Sequence, residues 1–325
     1  MHGWIVVDKP VGPGSTRIVA AVKRALREGG YPKVKVGHGG TLDPLASGVL
    51  PVALGEATKL AGRLLDSDKV YEFTIAFGTE TDTLDSEGEV IATSDVRPTL
   101  AQVEAVLERF TGEIEQVPPA YSALKVGGKR AYDLARAGAA PEMKIRLVTV
   151  HDLKILPGTG WGTARRAVEG APRPAQNPLH QPSAGPPPRP GEDQVSLVAR
   201  VSKGTYIRSL ARDIARALGT VGHVVMLRRL KAGPFALDSA ISLDKLAGLA
   251  KARTLEQALL PLTAGLDDIP ALPVTPDQAR LLRQGRKVVG IAARPGLHLA
   301  TDQSVPVALV ESDGAELRVL RGFNL

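Results

Sequence analysis

The sequence predicts an α+β fold in which helices flank a central mixed, mainly antiparallel sheet, followed by a small C-terminal β module. Three observations carry this. Strand and helix signals intermingle without a regular βαβ rhythm, which argues for an antiparallel or mixed sheet with helices packed around it. A chain of 325 residues with 43% hydrophobic content has ample material for one large domain plus a small one. Beyond Leu266-Asp267-Asp268-Ile269-Pro270 the pattern changes to one short helix and brief strands. The expected domains are therefore 1–268 and 270–325.

Taken in order, Trp4 to Val7 read as a short buried strand. Ser15 then stands as the cap of a helix whose Ile18, Val19, Val22 and Leu26 recur at helical spacing, with Arg17, Lys23, Arg24 and Arg27 solvated. Residues 71–77 alternate, with Tyr71, Phe73, Ile75 and Phe77 on one side, as in a half-buried strand, and Asp85 to Gly88 supply a hairpin-like turn. After Pro98, Thr99 and Gln102 form a capping-box pattern in front of Val103, Val106, Leu107 and Phe110. Over 206–218, Ile207, Leu210, Ala211, Ile214 and Leu218 make an apolar helix face, and Arg208, Arg212 and Arg216 fall on another at i, i+4 and i+8. In the last segment a helix is expected over 276–284 and strands over 297–300, 305–311 and 317–321.

Residues 157–193 differ from the rest. They carry Pro157, Pro172, Pro174, Pro178, Pro182, Pro186 to Pro188 and Pro190 among glycines, and cannot build a core. They read as a flexible surface insertion or, through Arg165, Arg166, Arg173 and Arg189, as an RNA-binding arm.

Composition narrows the chemistry. Without a single Cys, disulfides, thiolate zinc sites and thiol nucleophiles are excluded. The six His are scattered singly, so no metal site is expected. Lys and Arg number 41 against 34 Asp and Glu, a balance that suits a polyanionic partner. No apolar stretch approaches the roughly 18 residues that span a bilayer, and a cytoplasmic protein is expected.

The densest unusual stretch runs Gly37-His38-Gly39-Gly40-Thr41-Leu42-Asp43-Pro44-Leu45-Ala46-Ser47-Gly48-Val49-Leu50-Pro51. Pro44 biases Asp43 toward an extended conformation, and the glycines permit close backbone approach, so a carboxylate is held where a ligand can reach it. Further along come Asp66-Ser67-Asp68-Lys69-Val70-Tyr71, Gly78 through Asp85, Pro118 through Lys125, Ser202-Lys203-Gly204-Thr205-Tyr206-Ile207-Arg208, and His223 through Leu230. In content and order these segments resemble the bacterial tRNA pseudouridine-55 synthases, the stand-alone TruB-type family. The likeness covers most of residues 3–245.

The resemblance implies the pseudouridine synthase fold, and the segment from about residue 270 resembles the small RNA-binding barrel called the PUA domain. It implies that Asp43 is the catalytic carboxylate, with Arg208 its electrostatic partner and Asp85 the outer member of that network. Tyr71 corresponds to the aromatic that stacks on a flipped base, and His38, Tyr206 and Leu227 to the lining of the uridine pocket. The reaction breaks the N1–C1′ bond, turns the uracil and rejoins it through carbon, and a fixed carboxylate stabilises the positive character that builds on the ribose. Whether Asp43 adds to the base, adds to the sugar or helps remove a ribose proton stays open. No dinucleotide or P-loop fingerprint is present, and no cofactor is expected.

Residues 198–231 hold Arg200, Lys203, Arg208, Arg212, Arg216, Arg228, Arg229 and Lys231 against the single acid Asp213, a basic concentration suited to RNA. Lys125, Lys129 and Arg130, on the Gly127-Gly128 loop that resembles the family's mobile RNA clamp, add phosphate contacts. The expected partner is the T arm of tRNA, with no guide RNA or obligate protein partner, and the chain is expected to be a monomer. Two departures stand out: the family loop usually has Thr at the position of Gly39 and often at that of Ser47. Two other readings use the same residues. Asp43, Asp82 and Asp85 also suit the paired carboxylates of a nucleoside or glycoside hydrolase, and the basic groove suits a tRNA-folding chaperone.

Overall fold

The computed structural model describes residues 1–139, 141–157 and 193–325. In chain order its first elements are β1 (Gly3–Lys9), α1 (Ser15–Glu28), β2 (Val36–His38), β3 (Ser47–Leu54), α2 (Ala61–Asp66) and β4 (Lys69–Phe77). There follow β5 (Thr79–Thr81), β6 (Val90–Thr93), α3 (Leu100–Leu107), β7 (Gly112–Gln116), β8 (Lys125–Val126), β9 (Lys129–Arg130), α4 (Ala131–Arg136), β10 (Arg146–Ile155) and β11 (Gln194–Val201). The last are α5 (Ile207–Ala217), β12 (Gly222–Ala232), β13 (Phe235–Ala236), α6 (Leu243–Lys251), β14 (Ala271–Pro273), α7 (Pro276–Arg283), β15 (Val288–Val289), β16 (Gly296–Asp302), β17 (Val305–Ser312) and β18 (Glu316–Gly322). The Pro-rich stretch with Arg165, Arg166, Arg173 and Arg189 lies outside the described residues. Among the described residues no helix is long and apolar enough to cross a membrane.

The chain divides into two units, residues 1–71 with 228–325, and residues 72–227. In the first unit, β1 is buried along nearly its whole length because both its edges and both its faces are used. It pairs antiparallel with β3 from Gly3↔Leu54 to Lys9↔Gly48, and its other edge meets Ile241 and Leu260. The far edge of β3 takes β2 antiparallel and the end of β12 parallel, at Arg228↔Ser47 and Arg229↔Gly48. This parallel contact among antiparallel ones makes the sheet mixed. Trp4, Val6, Val49, Leu60, Leu64 and Phe235 build the core on one face. The Trp4 and Phe235 rings tilt at 49° with centroids 5.2 Å apart, and the buried Trp4 Nε1 donates to the Leu262 carbonyl at 3.1 Å.

The C-terminal strands form a five-stranded sheet in the order β14-β16-β17-β18-β15. Alternation along β16 and β17 serves two cores. Leu299 and Leu309, joined by Phe323, pack with Trp4 and Val49, whereas Ala300, Ala308 and Val310 pack with Ala279 and Leu282 of α7. The sequence gives no sign of β14 and β15, since strands of three and two residues are too short to show alternation. α7 begins at a Thr275–Gln278 capping box with Pro276 in its first turn.

In the second unit the strand order is β12-β4-β11-β10-β7, with β10 antiparallel to both β11 and β7. The Thr99–Gln102 capping box is formed at the start of α3, as the sequence indicates. α5 buries Ile207, Leu210, Ala211 and Ile214. β5 and β6 form a separate ribbon, and β8 and β9 a hairpin turned at Gly127 and Gly128, whose φ values of 57° and 83° suit a two-residue turn with both residues left-handed.

One expectation needs correction. The residue capping α1 is Gly14, which makes no side-chain cap, and Ser15 is the first helical residue. Its hydroxyl is committed to Leu42, 27 residues away, a long-range bond that outcompetes the local cap.

Candidate active site

The loop between β2 and β3 carries Asp43, which is half-buried. The Ala46 N–H donates to the Asp43 carbonyl at 3.1 Å, closing a turn around Pro44. Four polar groups from outside fasten this loop. Ser15 Oγ accepts from the Leu42 N–H at 2.8 Å and donates to the Leu42 carbonyl at 3.0 Å. The Gly12 N–H donates to the Pro44 carbonyl at 2.9 Å. Lys9, fully buried, directs its ammonium at the carbonyls of Pro44 and Ala46. Arg229, also buried, donates from Nε to Val49 at 2.8 Å and from its two terminal nitrogens to Thr41 and Gly40, both at 3.2 Å.

His38 sits at the start of the same loop, half-buried, with Nδ1 accepting from the Gly40 N–H at 3.4 Å. Burial, and after it the Arg229 charge, hold its imidazole below the ordinary histidine range, so it is neutral at physiological pH. Tyr71, half-buried in β4, is the third site residue of this unit.

The second group of expected site residues lies in the unit 72–227. Arg208, at the start of α5, contacts Asp85 at 3.2 Å, and the two side chains are only 5% and 3% exposed. The pair is well served with hydrogen bonds. Arg208 also donates to the carbonyls of Thr83 at 2.8 Å and Tyr121 at 3.0 Å, while Asp85 accepts from the Thr83 hydroxyl at 2.6 Å and the Glu87 N–H at 3.0 Å. Leu84, between Thr83 and Asp85, has φ 61°, a left-handed conformation that costs about 1–2 kcal/mol for a residue with a Cβ. That turn lets both the Thr83 carbonyl and the Asp85 carboxylate serve one guanidinium. Tyr206 precedes α5 and is half-buried, and Leu227 is buried in β12.

The cations expected to meet RNA differ in their surroundings. Lys125, Lys129 and Arg130 are exposed on the β8–β9 hairpin, where Arg130 donates to the Tyr132 hydroxyl at 2.8 Å. On α5 the arginines grade outward. Arg208 is buried against Asp85, Arg212 is 11% exposed beside Asp213, and Arg216 is 57% exposed with Glu80 at 2.9 Å. Arg212 and Arg216 line two open grooves of about 340 and 290 Å³.

Residues 25–168 match the TruB family pseudouridylate synthase N-terminal domain, and residues 208–267 match the tRNA pseudouridylate synthase B C-terminal domain. The chain is 59% identical, over its whole length and 98% of the relative's, to a protein of Novosphingobium aromaticivorans named tRNA pseudouridine synthase B. It is 58% identical, over its whole length and 96% of the relative's, to a protein of the same name from Zymomonas mobilis.

The chain belongs to the TruB family.

The fold has counterparts among solved structures. A Cbf5-Nop10-Gar1 complex contains a chain that is 26% identical, with a TM-score of 0.67, covering 99% of this chain and 85% of that one. An H/ACA RNP bound to a substrate RNA containing 2′-deoxyuridine contains another, 24% identical, also with a TM-score of 0.67 and the same coverage. Packing leaves little room for a side chain at Gly39. A Cβ at that position would lie 2.5 Å from Leu64 Cδ1 and 2.9 Å from Leu64 Cβ, so Leu64 occupies the room a threonine needs. Ser47 accepts from Arg228 at 3.3 Å.

Sequence reasoning missed the residues that shape the site. Lys9 ends β1, Ser15 begins α1, Arg229 lies two residues past Leu227 in β12, and Gln116 ends β7, where its side chain holds Tyr206. Each acts on backbone far away in sequence. The one local signal is Asp8-Lys9-Pro10, a charged residue closing an apolar strand.

Proposed function

We propose that this chain isomerises uridine-55 in the T loop of tRNA to pseudouridine, with Asp43 as the catalytic carboxylate. What supports the reading most is membership of the TruB family joined to the setting of Asp43, a half-buried carboxylate on a loop fastened from outside by Ser15, Lys9 and Arg229. The substrate base leaves its stack at a cost of a few kcal/mol, least where it already lies in a loop. The N1–C1′ bond breaks, the uracil turns within the pocket, and C5 bonds to C1′ while its proton departs and N1 gains one, so no atom is gained or lost overall. Asp43 stabilises or captures the electron-poor centre formed on cleavage.

In this reading Tyr71 stacks on the base, His38, Tyr206 and Leu227 line the uridine pocket, and Arg208 with Asp85 forms the supporting electrostatic network. Neutral His38 offers a hydrogen bond without a competing positive charge. Lys125, Lys129, Arg130, Arg212 and Arg216 meet phosphates of the T arm. Residues 1–268 form the catalytic domain, and residues 270–325 a PUA-like domain that adds RNA contacts. The enzyme works alone as a cytoplasmic monomer, without guide RNA or cofactor.

The test is pseudouridine mapping on an unmodified tRNA transcript with wild-type protein and Asp43→Asn. Product at the T-loop uridine with wild type only is expected. Release of free uracil would indicate a nucleoside hydrolase instead, and absence of any product from folded, tRNA-binding wild type would overturn the enzymatic reading.

A further inference from the structure

The direction of a side chain on a loop is set by the two peptide planes that flank its Cα, because each plane is rigid and only the torsions between them are soft. For Asp43 both planes are tied. The plane ahead of it contains the Leu42 carbonyl, which accepts from Ser15 Oγ at 3.0 Å. The same hydroxyl takes the Leu42 N–H at 2.8 Å, so both backbone groups of the preceding residue depend on one buried side chain. The plane behind Asp43 contains its own carbonyl, held by the Ala46 N–H at 3.1 Å, and Pro44 restricts the remaining torsion.

One step further back, the Arg229 guanidinium spans the carbonyls of Gly40 and Thr41, both at 3.2 Å, and is anchored through Nε to Val49 of β3 at 2.8 Å. Three successive residues, Gly40, Thr41 and Leu42, therefore have their carbonyls held by two side chains outside the loop, one on α1 and one on β12. Gly40 has φ 142°, so this stretch lacks the preferences that would hold it in shape alone. A planar fork suits the task, since two carbonyls on neighbouring residues are bridged by one rigid group.

We infer, on the basis of the pseudouridine-forming reading above, that Ser15 and Arg229 are positioning residues that fix the direction of the Asp43 carboxylate. Neither need touch substrate. Their effect appears in the rate of the chemical step and not in the grip on tRNA.

The experiment compares wild type, Ser15→Ala, Ser15→Thr and Arg229→Lys in single-turnover pseudouridine formation on an unmodified tRNA transcript, with tRNA affinity measured by filter retention and folding by thermal melting. Ser15→Ala is expected to slow the saturated rate about 10- to 100-fold, the scale of a misplacement near 1 Å, with affinity changed less than about twofold. Ser15→Thr, which keeps the hydroxyl, restores most of the rate. Arg229→Lys, which keeps the charge and loses the fork, slows the rate with affinity intact. A wild-type rate in Ser15→Ala overturns the assignment of Ser15, as does a parallel loss of rate and affinity, which would mark a general folding defect. A wild-type rate in Arg229→Lys overturns the assignment of Arg229. An inactive wild type would instead remove the functional reading on which both assignments rest.

Discussion

Gln116 holds Tyr206 by both of its backbone groups. The Tyr206 N–H donates to Gln116 Oε1 at 2.7 Å, and Gln116 Nε2 donates to the Tyr206 carbonyl at 3.2 Å. One buried amide at the end of β7 thus fixes the start of α5, where no side chain of the helix itself caps the terminus. Gln116→Leu leaves both groups without this partner, and a stability loss of about 1–3 kcal/mol is expected in urea unfolding. Gln116→Glu keeps the acceptor and loses the donor, and is expected to fall between the two. A Gln116→Leu protein as stable as wild type would mean that water replaces the amide.

The Asp85–Arg208 pair makes a larger demand. Both side chains are almost fully buried, so neutralising the acid strands a guanidinium. Asp85→Leu is expected to cost about 3–5 kcal/mol, whereas exchanging both members for apolar residues of similar volume restores much of that loss. Chemical denaturation of Asp85→Leu, Arg208→Met and the double variant measures the difference. Equal instability of all three would show that the pair's hydrogen bonds to Thr83 and Tyr121 matter more than its charges.

His38 gives a pH dependence with a definite sign. Its folded-state pKa lies below the ordinary value of 6.5 through burial and the Arg229 charge, so between the two values the unfolded chain binds more protons. The stabilisation is complete above the unfolded value and is lost as pH falls through the folded one. His38→Gln should remove this slope from the difference between stabilities at pH 8 and at the acid end of that window. Imidazole resonances should titrate with a midpoint below 6.5, and a midpoint at or above it would contradict the assigned environment.

Gly39→Thr would place a side chain where Leu64 already sits. The new side chain meets Leu64 at 2.5 Å, and overpacking of this kind costs about 1–3 kcal/mol. In combination with Leu64→Ala the penalty should shrink, giving a coupling energy between the two sites. Simple additivity in melting experiments would place the clash elsewhere.

The parts of the structure that were legible in the sequence are those encoded locally. Thr99 and Gln102 announced α3 because a capping box closes within one turn, and the apolar spacing of Ile207, Leu210, Ala211 and Ile214 announced α5. The likeness of several segments to one family directed attention to Asp43, Asp85 and Arg208, and the last two meet at 3.2 Å. What stayed hidden are buried polar groups whose partners are remote. Arg229 reads as one more cation in a basic run, yet it bonds carbonyls some 190 positions away, at Gly40 and Thr41. Ser15 reads as a helix cap, yet its oxygen is used by Leu42. No local pattern distinguishes a solvated charge from a buried one, because the distinction is made by the chain that folds over it.

The core shared by Trp4, Leu299, Leu309 and Phe323 joins the two ends of the chain. During synthesis the first strand is made long before its partners on β16 and β17, and at about 5–20 residues per second the interval is roughly 15–60 s. Until then the face of Trp4, Val6 and Val49 lacks its covering strands. A chain stopped after residue 269 should accordingly bind hydrophobic dyes and aggregate, and a soluble, dye-silent truncation would contradict this. The unit of residues 72–227, by contrast, is continuous in sequence. The order of maturation on the ribosome is therefore set by topology: the segment made first is among the last to reach its native surroundings.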